Sequence, residues 1–211
     1  MKALCTTLAS VLVLALATPA SSQIVTLGLK GGATFASVSD PDGAFEDVGG
    51  RTGSVFGASI QLGGRPIGLR GEVLLVQKGF DAREAGDDYA YKVDYVEIPV
   101  LLVARLSSGP IAPSLYGGVA AGFERSCTVS VSGSQASASG DCDAPSLELE
   151  RETMDAGAVF GAELAFGLGG IQLVADGRYT VGLTTLDASD DPDSVKNRAF
   201  MLMFGLGIPV G

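Results

Sequence analysis

Hydrophobic and polar residues alternate along most of the chain with a period of two. In residues 24–36, IVTLGLKGGATFA, one face collects Val25, Leu27, Leu29, Ala33 and Phe35. The other collects Thr26, Gly28, Lys30, Gly32 and Thr34. That alternation predicts a strand with unlike faces. It returns at about 52–63, 66–79, 93–106, 111–125, 153–167, 171–183 and 198–209, which makes eight strands in all. Phe56, Ile60, Leu69, Leu75, Leu115, Val119, Phe160, Leu164, Leu173, Tyr179, Phe200 and Phe204 carry the apolar face. Opposite them stand Gln61, Arg70, Glu72, Tyr116, Gly118, Asp155, Glu163, Asp176, Arg178 and Met201.

The connections alternate too. Tight turns follow the second, fourth and sixth strands: GGRP at 63–66, SSGP at 107–110 and GLGG at 167–170. Long, acidic segments follow the odd ones, at roughly 37–51, 80–91, 126–152 and 184–197. Short turns at one end and long loops at the other are the mark of an outer-membrane barrel. The fold class expected is all-β: an eight-stranded antiparallel up-and-down transmembrane β-barrel of OmpA/OmpX-like architecture. Both termini then lie in the periplasm. Phe35, Phe80, Tyr91, Phe123 and Phe200 gather near the loop end. They read either as an interfacial aromatic girdle or as residues packed beneath the loops.

Parity alone does not say which face points inward. A soluble lipocalin-like barrel would line a ligand pocket with the apolar face. The membrane reading is preferred because the polar face is rich in small residues and its charges nearly balance. Lys30, Arg70, Lys78, Arg105 and Arg178 stand against Glu72, Glu97, Glu124, Asp155, Glu163 and Asp176. A closed lumen needs that balance, since an unpaired buried charge is strongly destabilising. The eleven are read as a structural ion network, and a narrow conducting path is the sharper alternative. In VDYVEIPVLLVARL (93–106), Val96, Ile98, Val100, Leu102 and Ala104 then face lipid. Tyr95, Glu97, Pro99, Leu101, Val103 and Arg105 face the lumen, with Arg70 or Lys78 as the partner of Glu97. Pro99 requires either a lost ladder bond or a bulge, because a closed barrel has no edge to hide it.

Residues 1–22 are set apart as a signal peptide that is cleaved. Met1-Lys2 is a basic start, Ala3–Ala17 is apolar, and Ala20-Ser21-Ser22 precedes a cleavage point before Gln23. Cys5 has no lipobox around it. Residues 23–211 form one barrel domain. The formal charge is −10, and losing Lys2 with the leader makes it −11, which argues against nucleic acid as a partner. The mature chain keeps Cys127 and Cys142, read as one disulfide in an oxidising compartment.

The segments GLKGGATFAS (28–37), GEVLLVQKGF (71–80), VDYVEIPVLLVARL (93–106), LYGGVAAGF (115–123), DGRYTVGLTTL (176–186) and KNRAFMLMFGLGI (196–208) occur in order. Together they resemble the outer-membrane β-barrel family that includes PorT-like proteins of Bacteroidetes-type bacteria. The resemblance implies an integral outer-membrane barrel, usually without assigned activity, some members being linked to secretion. Two departures stand out. The chain ends Ile208-Pro209-Val210-Gly211 rather than on the aromatic residue common in such barrels, and CTVSVSGSQASASGDC (127–142) is an unusual insert bracketed by the two cysteines. A disulfide there would act as a loop staple worth about 3 kcal/mol.

Histidine is absent, and activating a Ser or a water near neutral pH favours imidazole. Barrel hydrolases and acyltransferases depend on one, so the chain is read as not an enzyme. Asp187, Asp190, Asp191 and Asp193 are a weak Ca²⁺ candidate that lacks EF-hand spacing. Acidic solvated loop is the commoner reading. No cofactor is expected. The expected partners are outer-membrane lipid, the barrel-assembly machinery during biogenesis and an unidentified extracellular or periplasmic protein, with the chain itself a monomer. The function expected is an envelope structural or interaction role with acidic loops outside; a soluble carrier and a narrow or secretion-associated channel are the alternatives.

Overall fold

The computed structural model describes residues 25–39, 47–63, 65–84, 87–107, 109–132, 137–142, 154–183 and 196–210. Residues 1–22, expected as a cleaved leader, and the acidic run at 187–193 lie outside them. Among the described residues there are nine strands: β1 (Val25–Ser39), β2 (Asp47–Gly63), β3 (Ile67–Glu84), β4 (Asp87–Arg105), β5 (Ile111–Ser132), β6 (Ser137–Asp141), β7 (Met154–Leu168), β8 (Ile171–Gly182) and β9 (Lys196–Val210). Every pairing is antiparallel. All but β6 form a closed ring, β1-β2-β3-β4-β5-β7-β8-β9, with β9 returning to β1.

The register fixes the barrel's shape. Paired residues lead from Val25 through Leu62, Leu69, Leu102, Gly117, Phe160, Tyr179 and Phe200 back to β1 at Phe35, ten residues further along the strand. Ten residues at about 3.3 Å, set against eight strand spacings of about 4.8 Å, give a tilt of about 40°, inside the usual range for barrels. At this size side chains just fill the interior.

The faces divide as the alternation expects, with the apolar set outward. Leu29, Phe56, Val73, Leu102, Leu115, Phe160 and Phe204 are all at least half exposed. Lys30, Arg70, Glu72, Lys78, Glu97, Glu163, Asp176 and Arg178 are buried inside. A lipocalin-like carrier needs the reverse arrangement. The exterior belt has no counterpart to bury it except hydrocarbon.

Pro99 resolves as a lost ladder bond. The β3–β4 pairing breaks between Gly71↔Val100 and Leu74↔Glu97, yet the register is the same on both sides, so no bulge is inserted. On the β5 side Pro99 pairs normally with Ala120.

The four segments expected as loops, at roughly 37–51, 80–91, 126–152 and 184–197, are each in part strand. β3 and β4 stay paired up to Glu84↔Asp87, and β4 and β5 up to Asp88↔Ser132, while β6 adds to β5. With the start of β2, which pairs with β3 from Asp47↔Arg83 to Gly50↔Phe80, these strands rise beyond the barrel as a small sheet. Its Ser, Gly and Asp residues hide the alternation. Beside Asp94/Tyr95 the β4–β5 register shifts, because β5 inserts Arg125 as an extra residue; beyond it the odd-numbered residues of β5 continue the lumen side. Cys127 and Val129 then share a face with Tyr91 and Val93, and the Cys127–Cys142 disulfide ties β5 to the end of β6.

The aromatic expectation divides. Phe35 and Phe200 stack at 6.2 Å on the lipid side, and Phe123 also faces outward. Phe80 and Tyr91 stack at 4.7 Å in the rising sheet. Their parity is that of Lys78 and Tyr95, so they continue the lumen face and do not belong to a girdle.

Candidate functional site

The lumen gathers the chain's buried charge. Because neighbouring strands all turn alternate residues inward, parity alone brings Lys30 of β1, Arg70 and Glu72 of β3, Glu163 of β7, and Asp176 and Arg178 of β8 to one cavity. The ten-residue stagger decides which of them meet. Lys30 Nζ lies 3.1 Å from Glu72, 3.3 Å from Glu163 and 2.5 Å from Asp176. Arg70 donates a forked pair of bonds to Glu163 at 2.7 and 2.8 Å and two further bonds to Gln61 Oε1 at 3.0 and 2.7 Å. Arg178 Nη2 donates to Glu72 at 2.6 Å.

Three cations thus meet three carboxylates, and the cluster is neutral. β3 and β8 lie on opposite sides of the eight-strand ring, so the Arg178–Glu72 bridge crosses the lumen. The Tyr116 hydroxyl donates to Asp176 and accepts from Arg178 Nε at 3.3 Å. Its ring lies under both guanidinium groups, 5.7 Å from that of Arg70 and 5.3 Å from that of Arg178, a favourable cation–π position. Gly161, paired with Tyr116 across β5 and β7, leaves room for that ring; a Cβ there would collide with it.

A second cluster sits nearer the loop end. Lys78 Nζ is 2.5 Å from Glu97 and 3.6 Å from Asp155, and lies 5.1 Å from the Tyr95 ring centre. The partner of Glu97 is therefore Lys78, while Arg70 is taken by Glu163. Between the clusters lies an apolar layer of Val55, Leu74, Val76, Met201 and Met203, each at most 2% exposed.

The structure brings nine of the eleven candidate charges into these two clusters. Arg105 lies apart at the turn end, and among the described residues it has no ion pair. Glu124 sits half-buried beside the β5 bulge, opposite Tyr95. Asp187, Asp190, Asp191 and Asp193 lie outside the described residues. Among the described residues no group of His, Cys, Asp or Glu is placed to hold a metal.

Gln61 and Tyr116 are cluster members that the charge pattern did not single out, although both stand on the polar face of their strands. Chemically the central cluster is self-neutralised. Each carboxylate already accepts from a cation, so its evident capacity is to brace and occlude.

A closed antiparallel barrel with an apolar exterior and a charged, filled interior is a transmembrane β-barrel. The comparisons agree with that class. Residues 21–188 match the model of the outer membrane protein beta-barrel domain, and the chain belongs to that family. This places it in the bacterial outer membrane. The match is to the family as a whole and does not single out the PorT-like subgroup.

No curated protein sequence matches the chain. Among solved structures, it is similar to the outer membrane protein OprG from Pseudomonas aeruginosa, with 13% identity and a TM-score of 0.56 over 89% of this chain and 97% of that one. It is also similar to Neisserial surface protein A (NspA), with 13% identity and a TM-score of 0.50 over 87% and 97%. Ail, the attachment invasion locus protein of Yersinia pestis, aligns at 18% identity over 87% and 98%, with a TM-score of 0.46. At these identities the likeness to OprG and NspA speaks for the fold alone.

Proposed function

We propose that the chain is a non-enzymatic outer-membrane barrel serving a structural or interaction role in the envelope, its barrel a sealed support for acidic loops. The observation that carries the reading is the cross-braced lumen: a neutral three-against-three cluster, joined across the full width by Arg178 and Glu72, backed by an apolar layer. An interior so filled is poorly suited to transport. Catalysis is disfavoured because the chain contains no histidine and the central carboxylates are committed to cations. What remains for function is the loop end, where the long connecting segments are rich in Asp and Glu and a disulfide-tied sheet stands beyond the barrel.

The test is conductance in planar bilayers with the purified, refolded protein. The expected result is no steady single-channel current. A reproducible ohmic pore would overturn the sealed-support reading. Sedimentation in detergent is expected to give a monomer.

A further inference from the structure

The turn end holds a cavity that the ion network does not use. It measures about 180 Å³ and is lined by Arg65, Arg105, Gln172, Ala112 and Ala165, among others. Among the described residues that line it there is no carboxylate. In a chain of net charge −10, whose central lumen cations are all paired, two guanidinium groups share this space. Among the described residues Arg105 Nε is buried with no hydrogen-bond partner, and a buried donor left unmade is costly. Two cations facing one cavity also repel. An anionic occupant removes both penalties.

The walls are tied in place. The Arg105 backbone N–H donates to Pro66 O at 2.9 Å, fixing the turn that carries Arg65 against β4. The Gly167 N–H donates to Pro110 O at 2.8 Å, fixing the β7–β8 turn against the β4–β5 turn. Deeper in, a smaller cavity of about 20 Å³ shares Arg105 and Gln172 and reaches Lys30, Arg70 and Glu163. Those three are joined to one another, so the ion network closes the cavity from above. The vestibule therefore opens at the turn end, which in such barrels is the periplasmic side.

We propose that this vestibule binds the phosphate group of a small solute entering from the periplasm. Planar guanidinium forks match phosphate oxygens in pairs, and the Gln172 amide offers a further neutral donor. Charge selects among oxyanions. A phosphate monoester carries about −1.5 to −2 at neutral pH and balances two guanidinium groups. A carboxylate leaves one of them uncompensated, and so does the phosphodiester of a phospholipid head. Arg105, Gln172, Ala112 and Ala165, moreover, stand on the lumen side of their strands and not the bilayer side, and Arg65 reaches the same cavity from its turn.

The test uses the full-length protein refolded in a maltoside detergent and phosphate-free buffer. Backbone amide resonances are followed while inorganic phosphate is added at constant ionic strength. Saturable shifts are expected at Gly109, Gly167 and Gln172. Arg65→Gln and Arg105→Gln should each weaken binding by roughly tenfold, as for the loss of a charge-assisted bond. A parallel titration uses short-chain phosphatidylglycerol: saturation by that lipid and not by inorganic phosphate overturns the small-solute assignment and gives the site to a membrane headgroup. Arg65 lies on an exposed turn, and heat-modifiable gel migration verifies that both variants are folded. The absence of a saturable shift with either probe, or full affinity in both variants, overturns the proposal.

Discussion

Glu72 is the residue through which the central cluster is most exposed to test. Its carboxylate accepts from Lys30 at 3.1 Å and Arg178 at 2.6 Å, with Arg70 at 3.8 Å, and its side chain is fully buried. Glu72→Gln keeps the shape and removes the charge. Three cations then face two carboxylates in a closed lumen. Removing one partner of a buried pair costs about 3–5 kcal/mol, a large part of the ~5–15 kcal/mol that holds a typical domain. Adding Arg178→Gln restores a two-against-two balance, so the double variant should recover part of the loss, with a coupling of roughly 0.5–3 kcal/mol.

The assay is urea unfolding of protein refolded into liposomes, read by heat-modifiable migration and far-UV circular dichroism. A lower midpoint at unchanged slope is expected for Glu72→Gln. If it unfolds within about 0.5 kcal/mol of the parent, as an ordinary surface change does, or if the two substitutions simply add, the charges are screened by lumen water and the bracing argument fails.

Three further outcomes follow from other parts of the barrel. Gly161→Ala drives a methyl into the Tyr116 ring and should cost about 1–3 kcal/mol through overpacking, read as a lower urea midpoint; an unchanged midpoint would mean Tyr116 has another place to go. Replacing both Cys127 and Cys142 with Ser opens a link between residues 15 apart. Protease cleavage should then appear in the rising sheet while the barrel's gel mobility stays unchanged, because the ring of strands closes without β6. Leu29→Arg places a cation on the lipid face about midway between Val25 at the turn end and the outward-facing Phe35, where Leu29 is 56% exposed. It should cost about 2–4 kcal/mol in a bilayer, and a neutral effect on folding into liposomes would count against a lipid-facing β1.

Much of this was legible in the alternation because parity is local. Whether Glu97 or Ile98 points inward needs only its own strand. Partner choice was not legible, since it depends on stagger around the whole ring. Thus Arg70 and Lys78 were equal candidates for Glu97, and the β3–β4 register alone leaves them so, since Arg70 pairs with Leu101 and Lys78 with Val93, each four residues from Glu97. The choice falls to packing across the lumen, where Glu163 holds Arg70 and Lys78 reaches Glu97. Pro99 behaved likewise: its lost donor is certain from covalent structure, but the uninterrupted register could only be seen. The rising sheet was missed because Ser, Gly and Asp carry little hydrophobic signal above the membrane. Arg65 and Arg105 lie forty residues apart in sequence and meet only because two turns are pinned at one rim.

The layers along β3 bear on what a disrupted cluster would do. Reading its inward side from the turn end gives Arg70 and Glu72, then Leu74 and Val76, then Lys78. The middle pair packs with Val55, Met201 and Met203, and the chain of charges is broken there. An ion that passed a loosened central cluster would next have to shed water at an apolar constriction, which is a barrier in its own right. The two obstacles act in series. Glu72→Gln should therefore lower stability without producing current in a planar bilayer, whereas a lumen gated by the ion pairs alone would begin to conduct. Joining it with Met201→Ser and Met203→Ser, which wet the apolar layer, is the combination expected to pass ions. Conductance in Glu72→Gln by itself would show that the apolar layer does not seal, and that the charged cluster is a gate.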